Sequence, residues 1–160
     1  MRVAALDTGT MDTRTMTDRT LVLERSFRAS PAQVYAAWTD PEALPRWFGP
    51  DGLSCRTHAI DVREGGVWRF DMTGEGQLFA NRHRWTTLVP HRRIEFLMDD
   101  GSDDRPPMFV QVTLSPEGAG TRLVQRVTFS DAAGRAAAEG YGAVEKGHQT
   151  LTKLAASLGE

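Results

Sequence analysis

Hydrophobic and polar positions alternate over much of the chain, and the period changes twice. Leu21, Leu23 and Phe27 recur on odd positions around Arg25, the pattern of a half-buried strand. A helix signal follows at once. Ser30, Pro31 and Gln33 form a capping box with proline at the first helical position, and Val34, Tyr35 and Trp38 supply an apolar face. Asp40-Pro41 repeats the device and predicts a second short helix that stops at Gly49-Pro50.

From residue 53 to 129 the period is two. Trp68, Phe70 and Met72, then Ile94, Phe96 and Met98, then Val110, Val112 and Leu114, then Leu123, Val127 and Phe129 each mark one buried face. Turn signals separate the sets at Gly65-Gly66, Gly74 to Gly76, Pro90, Asp99 to Asp104 and Gly118 to Gly120. Short connections of this kind predict an antiparallel meander with one wet face, on which Arg69, Asp71, Arg122 and Arg126 stay hydrated.

After Ser130 the period becomes helical as far as about Leu158, with Val144, Leu151, Ala155 and Leu158 on one face and His148 beside them. Gly134, Gly140, Gly142 and Gly147 weaken the first half of this helix, which is expected to bend or break near Gly140. The expected fold class is α+β: a curved antiparallel sheet wrapped around a long C-terminal helix, with two short helices after the first strand. A helix crossing a strongly bent sheet cannot touch every strand, so the arrangement predicts a cavity beside the line of contact. Gly140 and Gly147 either deepen that cavity or permit close backbone packing.

Composition narrows the function more than it defines it. A chain of 160 residues, 40% hydrophobic and 25% charged, is expected to build one core, over residues 20–160. Residues 1–19 lack an apolar period and are expected to form a flexible tail, with Met1, Met11 and Met16 as alternative starts. There is no run of about 18 apolar residues to insert in a membrane and no signal-like apolar segment after Arg2, so a soluble, cytoplasmic protein is expected. A single cysteine, Cys55, excludes an intrachain disulfide, and a net charge of -2 argues against nucleic acid as a partner.

The segments Leu21-Val-Leu-Glu-Arg25-Ser-Phe27, Ala29-Ser-Pro31-Ala-Gln-Val34-Tyr-Ala-Ala-Trp38-Thr-Asp-Pro41-Glu and Arg46-Trp-Phe-Gly-Pro50 resemble the SRPBCC superfamily, the START-like and birch-pollen-allergen-like proteins. Together with Asp61-Val-Arg63-Glu-Gly-Gly66-Val-Trp68-Arg-Phe70 and Gly120-Thr-Arg-Leu123, they look like the branch named after the activator of heat-shock-protein ATPase, over roughly residues 20–158. The resemblance implies the helix-grip fold and a cavity under the C-terminal helix, where superfamily members hold lipids, sterols, polyketides or phenolics and some catalyse cyclisation or hydrolysis. The eukaryotic namesakes carry a further N-terminal domain that has no counterpart in this sequence, which puts a chaperone partner in doubt.

Candidate contacts of a small hydrophobic ligand are Trp47 and Phe48 at one end; Trp68, Phe70, Met72, Phe96 and Met98 along the sheet; Gln125 as an inward polar group; and Tyr141, Val144, His148 and Leu151 on the helix. Trp47 has sheet packing as the competing role, Tyr141 core packing, and His148 a hydrogen bond to a backbone carbonyl. Catalysis is left open, with His148, Tyr141 and Arg25 as candidate acid, base or oxyanion groups. The reading favours a binding protein over a cyclase- or hydrolase-type enzyme or a chaperone-associated module, and leaves a homodimer open. No cofactor is implied. The spacing of His58, His83, His91 and His148 matches no zinc motif, so no metal site is expected, and Asp99 to Asp104 reads as a solvated hairpin loop. Arg82-His-Arg84 reads as part of an exposed sheet face, and Arg63 as half of a turn-stabilising ion pair.

Overall fold

The computed structural model describes residues 18–160, so the tail expected over residues 1–19 lies, but for its last two residues, outside the described residues. Arg19 is already tied to the domain, because its carbonyl accepts from the Phe129 amide at 2.9 Å and its guanidinium donates to the Ser130 carbonyl at 3.0 Å.

The strands are β1 (Thr20–Phe27), β2 (Ser54–Ile60), β3 (Val67–Gly74), β4 (Gln77–Val89), β5 (Arg93–Asp99), β6 (Met108–Glu117) and β7 (Gly120–Thr128). They form one curved antiparallel sheet in the order β1-β7-β6-β5-β4-β3-β2, a meander whose last strand pairs with the first. The helices are α1 (Pro31–Thr39) and α2 (Leu44–Trp47) between β1 and β2, then α3 (Ala132–Gly140) and α4 (Ala143–Ser157) after β7. This is the helix-grip arrangement.

The capping box forms as the sequence requires: the Ser30 hydroxyl accepts from the Gln33 amide at 3.2 Å while the Gln33 side chain accepts from the Ser30 amide at 2.9 Å. The second helix starts later than Asp40-Pro41 predicts. Asp40 accepts from the Glu42 amide at 2.9 Å, a local turn that delays regular helix until Leu44. The C-terminal helix is two helices. Asp131 caps α3 by accepting from the Gly134 amide at 2.8 Å, and Gly142 at φ 80 breaks the run, a conformation in which a side chain would be strained.

Leu151, Leu154 and Ala155 of α4 close a core of Trp38, Trp47, Trp68, Trp85, Phe70 and Phe96, all of them buried. Helix α4 rests on β1 at one sheet edge and on α2, which itself packs on β2 at the other. It therefore bridges the sheet rather than lying along it. At Gly147 the approach is closest, since a Cβ there would fall 2.3 Å from Leu23 Cδ1. Close packing is thus the role of Gly147, whereas a Cβ at Gly140 would meet nothing within 4 Å.

Candidate functional site

Between the first half of α4 and the inner face of the sheet lies a cavity of about 500 Å³, within the range of roughly 300–1,000 Å³ that small-molecule sites occupy. Its walls come from six strands: Leu21 and Leu23 of β1, Met72 of β3, Phe79 of β4, Met98 of β5, Met108 of β6, with Gln125 and Val127 of β7. Phe48 and Leu53 form one end, and Tyr141, Val144 and Gly147 the helical side. Three methionines in one wall give a surface that adapts to more than one shape.

Six of the sequence-predicted contacts line this space: Phe48, Met72, Met98, Gln125, Tyr141 and Val144. Tyr141 is exposed at the α3–α4 break instead of packed in the core, and stands at the mouth with the exposed Phe79 and Val144. The other six sit elsewhere. Trp47 is buried against Trp38 at a ring distance of 4.8 Å and donates from Nε1 to the Ala37 carbonyl at 3.0 Å, so its place is in the packing of α1 on α2. Trp68, Phe70 and Phe96 form a layer one shell deeper than the cavity wall, and Leu151 belongs to the core beneath α4. His148 is exposed and outside the cavity, because a 100° step from the inward Gly147 turns it off the buried stripe.

Arg25 is also outside. Its guanidinium donates to the Thr152 hydroxyl at 3.1 Å and lies over the Phe27 ring at 5.6 Å, and its charge helps hold the Glu160 carboxyl below the usual range. The largest influence on Glu160 is the hydrogen bond from the Arg28 amide. The proposed acid, base and oxyanion candidates, His148, Tyr141 and Arg25, therefore do not converge on one point.

Gln125 is the inward polar group of the cavity. It faces Leu23 on β1 and Val112 on β6, and its side-chain amide has no hydrogen-bond partner among the described residues. The polar edge of the cavity, by contrast, is held in place: the Gln149 side chain accepts from the Asp51 amide at 3.1 Å, and the Lys153 ammonium donates to the Leu53 carbonyl at 3.3 Å. These contacts fix the loop after α2 against α4.

One group that sequence reasoning passed over is His83. The run Arg82-His-Arg84 is no exposed basic face, because β4 alternates through it: His83 and Trp85 point inward while Arg82 and Arg84 point out. Arg82 donates twice to Asp99, at 2.8 and 2.7 Å, and Arg84 once at 3.0 Å. The Asp99 side chain is only 4% exposed, so it is a buried ion-pair centre and not part of a solvated loop. The hydrogen bond from Arg82 holds its carboxyl below the usual range. On the same outer face Asp71 is shielded by His58 at 2.8 Å and Arg56 at 3.4 Å instead of lying hydrated. Arg63 does form its turn ion pair, at 2.7 Å from Asp61.

His83 itself is 1% exposed. It stacks on Phe96 at 4.4 Å and meets Phe48, Trp68 and Phe70 edge to face at 5.0 to 5.2 Å. Burial pushes its pKa down to about 3, against a weaker opposing pull from Asp99, so the ring is neutral at ordinary pH. Cys55 is half-buried: its thiol donates to the Phe48 carbonyl at 3.2 Å, and desolvation pushes its pKa up to about 12. Among the described residues no group of three or more His, Cys, Asp or Glu side chains is placed to hold a metal ion, and no helix is long and apolar enough to cross a membrane.

The family model described as "Activator of Hsp90 ATPase homolog 1-like protein" matches residues 28–159. The chain belongs to this family. Among solved structures, an activator-homologue family protein from Silicibacter pomeroyi is 28% identical, with a TM-score of 0.69 over 88% of this chain and 97% of that one. A protein from Chromobacterium violaceum is 29% identical, with a TM-score of 0.75 over 86% of this chain and 95% of that one. A protein from Arthrobacter aurescens, 22% identical, shares the fold with a TM-score of 0.82 over 98% of this chain and 92% of that one. No curated protein is significantly similar to the chain.

Proposed function

We propose that this member of the activator-homologue family binds a small hydrophobic or aromatic molecule, of lipid, polyketide or phenolic type, in the cavity between the sheet and α4. The observation that carries the reading is the cavity of about 500 Å³, in which the Gln125 amide faces inward among Leu21, Leu23, Met98, Met108 and Val127 without a side-chain partner among the described residues. A ligand carbonyl or hydroxyl that takes the place of water there completes the hydrogen bonds of the amide, while the apolar side chains around it take up the rest of the molecule. Phe48, Met72, Met98 and Val144 supply the apolar contacts, and Tyr141 at the mouth offers a second polar tip. Binding without turnover fits the separation of His148, Tyr141 and Arg25 better than a cyclase or hydrolase does.

The test is a thermal-shift screen of fatty acids, flavonoids and aromatic polyketides, paired with mass spectrometry of a solvent extract of the protein from its native host. A ligand at about 100 times its dissociation constant adds about 2.7 kcal/mol, which for a domain of this size raises Tm by roughly 5–10 °C. Gln125→Leu should weaken ligands that carry a carbonyl or hydroxyl and spare their hydrocarbon analogues. A screen in which no compound moves Tm, together with an empty extract, rejects the proposal.

A further inference from the structure

The cavity wall and the box around His83 share one side chain. Phe48 lines the cavity at its α2 end, and the same ring caps His83 edge to face at 5.0 Å. Met98, also in the wall, is the cross-strand partner of His83 on β5. Nε2 of His83 is buried and has no hydrogen-bond partner. A position enclosed by four aromatic rings would be filled at lower cost by an apolar side chain, so a polar nitrogen there needs a reason other than packing.

We infer that the cavity has an inner subsite, closed by the Phe48 ring in this conformation, where His83 hydrogen-bonds the hydroxyl of an aromatic alcohol or phenol whose ring packs against Phe96 and Trp68. This deepens the cavity reading and rests on it. Opening the subsite requires the Phe48 ring to turn away from His83. The bond is to a neutral donor because a neutral imidazole has one accepting nitrogen and carries no charge to pair with a carboxylate. Its depressed pKa keeps it in that form. Gln125 is the polar contact of the outer cavity and His83 that of the inner one.

Naphthalene, 2-naphthol and 2-naphthoate, titrated into the full chain by calorimetry, separate the two claims. Naphthalene binding tests the cavity alone, and a preference for 2-naphthol that persists in His83→Leu belongs to Gln125 and overturns the subsite. The subsite predicts that 2-naphthol binds about tenfold more tightly than naphthalene, although it is the more water-soluble of the two, and that 2-naphthoate gains nothing over naphthalene. His83→Leu should abolish the preference for 2-naphthol while retaining naphthalene, and Phe48→Ala should strengthen 2-naphthol by removing the plug. A readout that does not depend on the folding of either variant is the Nε2 resonance of His83 in the ¹⁵N-labelled wild type, expected to move with 2-naphthol and not with naphthalene. Naphthalene and 2-naphthol binding alike, with that resonance unmoved, overturns the subsite and leaves the cavity standing. Failure of both compounds to bind rejects the cavity reading and the subsite with it.

Discussion

Acid stability offers a direct view of His83. Its pKa is about 3 in the folded protein and about 6.5 when free of its box. Between those values the unfolded chain binds a proton that the folded one refuses, so stability falls as pH falls. The slope approaches 1.4 kcal/mol per pH unit, and integration from about pH 7 to about pH 5 gives about 2 kcal/mol. That figure depends on the unfolded value alone as long as the folded pKa lies well below 5. The window also excludes the carboxylates: Asp71, Asp99, Asp100 and Glu160 are held below their ordinary values of 3.8 to 4.5, so their contributions are retained down to that range and lost only below it. Among the described residues Asp99 is the charge that acts on the ring, and Phe48, Trp68, Phe70, Trp85 and Phe96 pack around it. The assay is urea unfolding at half-unit steps across the window for the wild type and His83→Leu. The wild type should lose about 2 kcal/mol more than the variant. Parallel curves for the two proteins would refute a buried neutral histidine.

Other consequences of the packing are as direct. Gly140→Ala should stabilise by up to about 1 kcal/mol through helix propensity, since nothing lies within 4 Å of the added methyl. Gly147→Ala carries the same propensity gain but should fall about 1–2 kcal/mol short of Gly140→Ala, because Leu23 must move from a contact of 2.3 Å; chemical denaturation of the pair reads the difference. Arg82→Met leaves the buried Asp99 with Arg84 alone and should cost about 2–4 kcal/mol, measured the same way. Cys55, with its pKa near 12, should resist Ellman's reagent at mildly alkaline pH in the folded state and react on addition of urea; prompt labelling of the native protein would contradict its burial.

The frame was legible in the sequence because its signals are local. The Ser30 capping box, the alternation of Trp68, Phe70 and Met72, and Gly142 near the helix break each act over a few residues. The site was legible only in part. Alternation shows that Trp68, Phe70 and Phe96 face inward, but not that Phe48 covers Trp68 and Phe70 while Trp38 packs on Phe96, which keeps all three out of the cavity wall. That depth is set by how far α2 and the following loop reach over the sheet. His148 was set beside the buried stripe of Val144, Leu151 and Ala155, but one residue on from the inward Gly147 the 100° step turns it to solvent. His83 was hidden by its arginine neighbours, whose charge suggests solvent. The available signal was Trp85 two positions on, which puts residues 83 and 85 on one inward face with Asp99 opposite Arg82.

The account stands on an accessible space between α4 and the sheet. Methyl NMR of the full chain titrated with 2-naphthol observes that space directly. Leu21, Leu23, Met72, Met98, Met108, Val127 and Val144 line it, whereas Val34 and Leu44 are buried away from it. The first group should shift in a saturable manner while the second stays fixed. Unmoved methyls in the first group up to the solubility limit of the probe, or equal small shifts in both groups, would contradict the account.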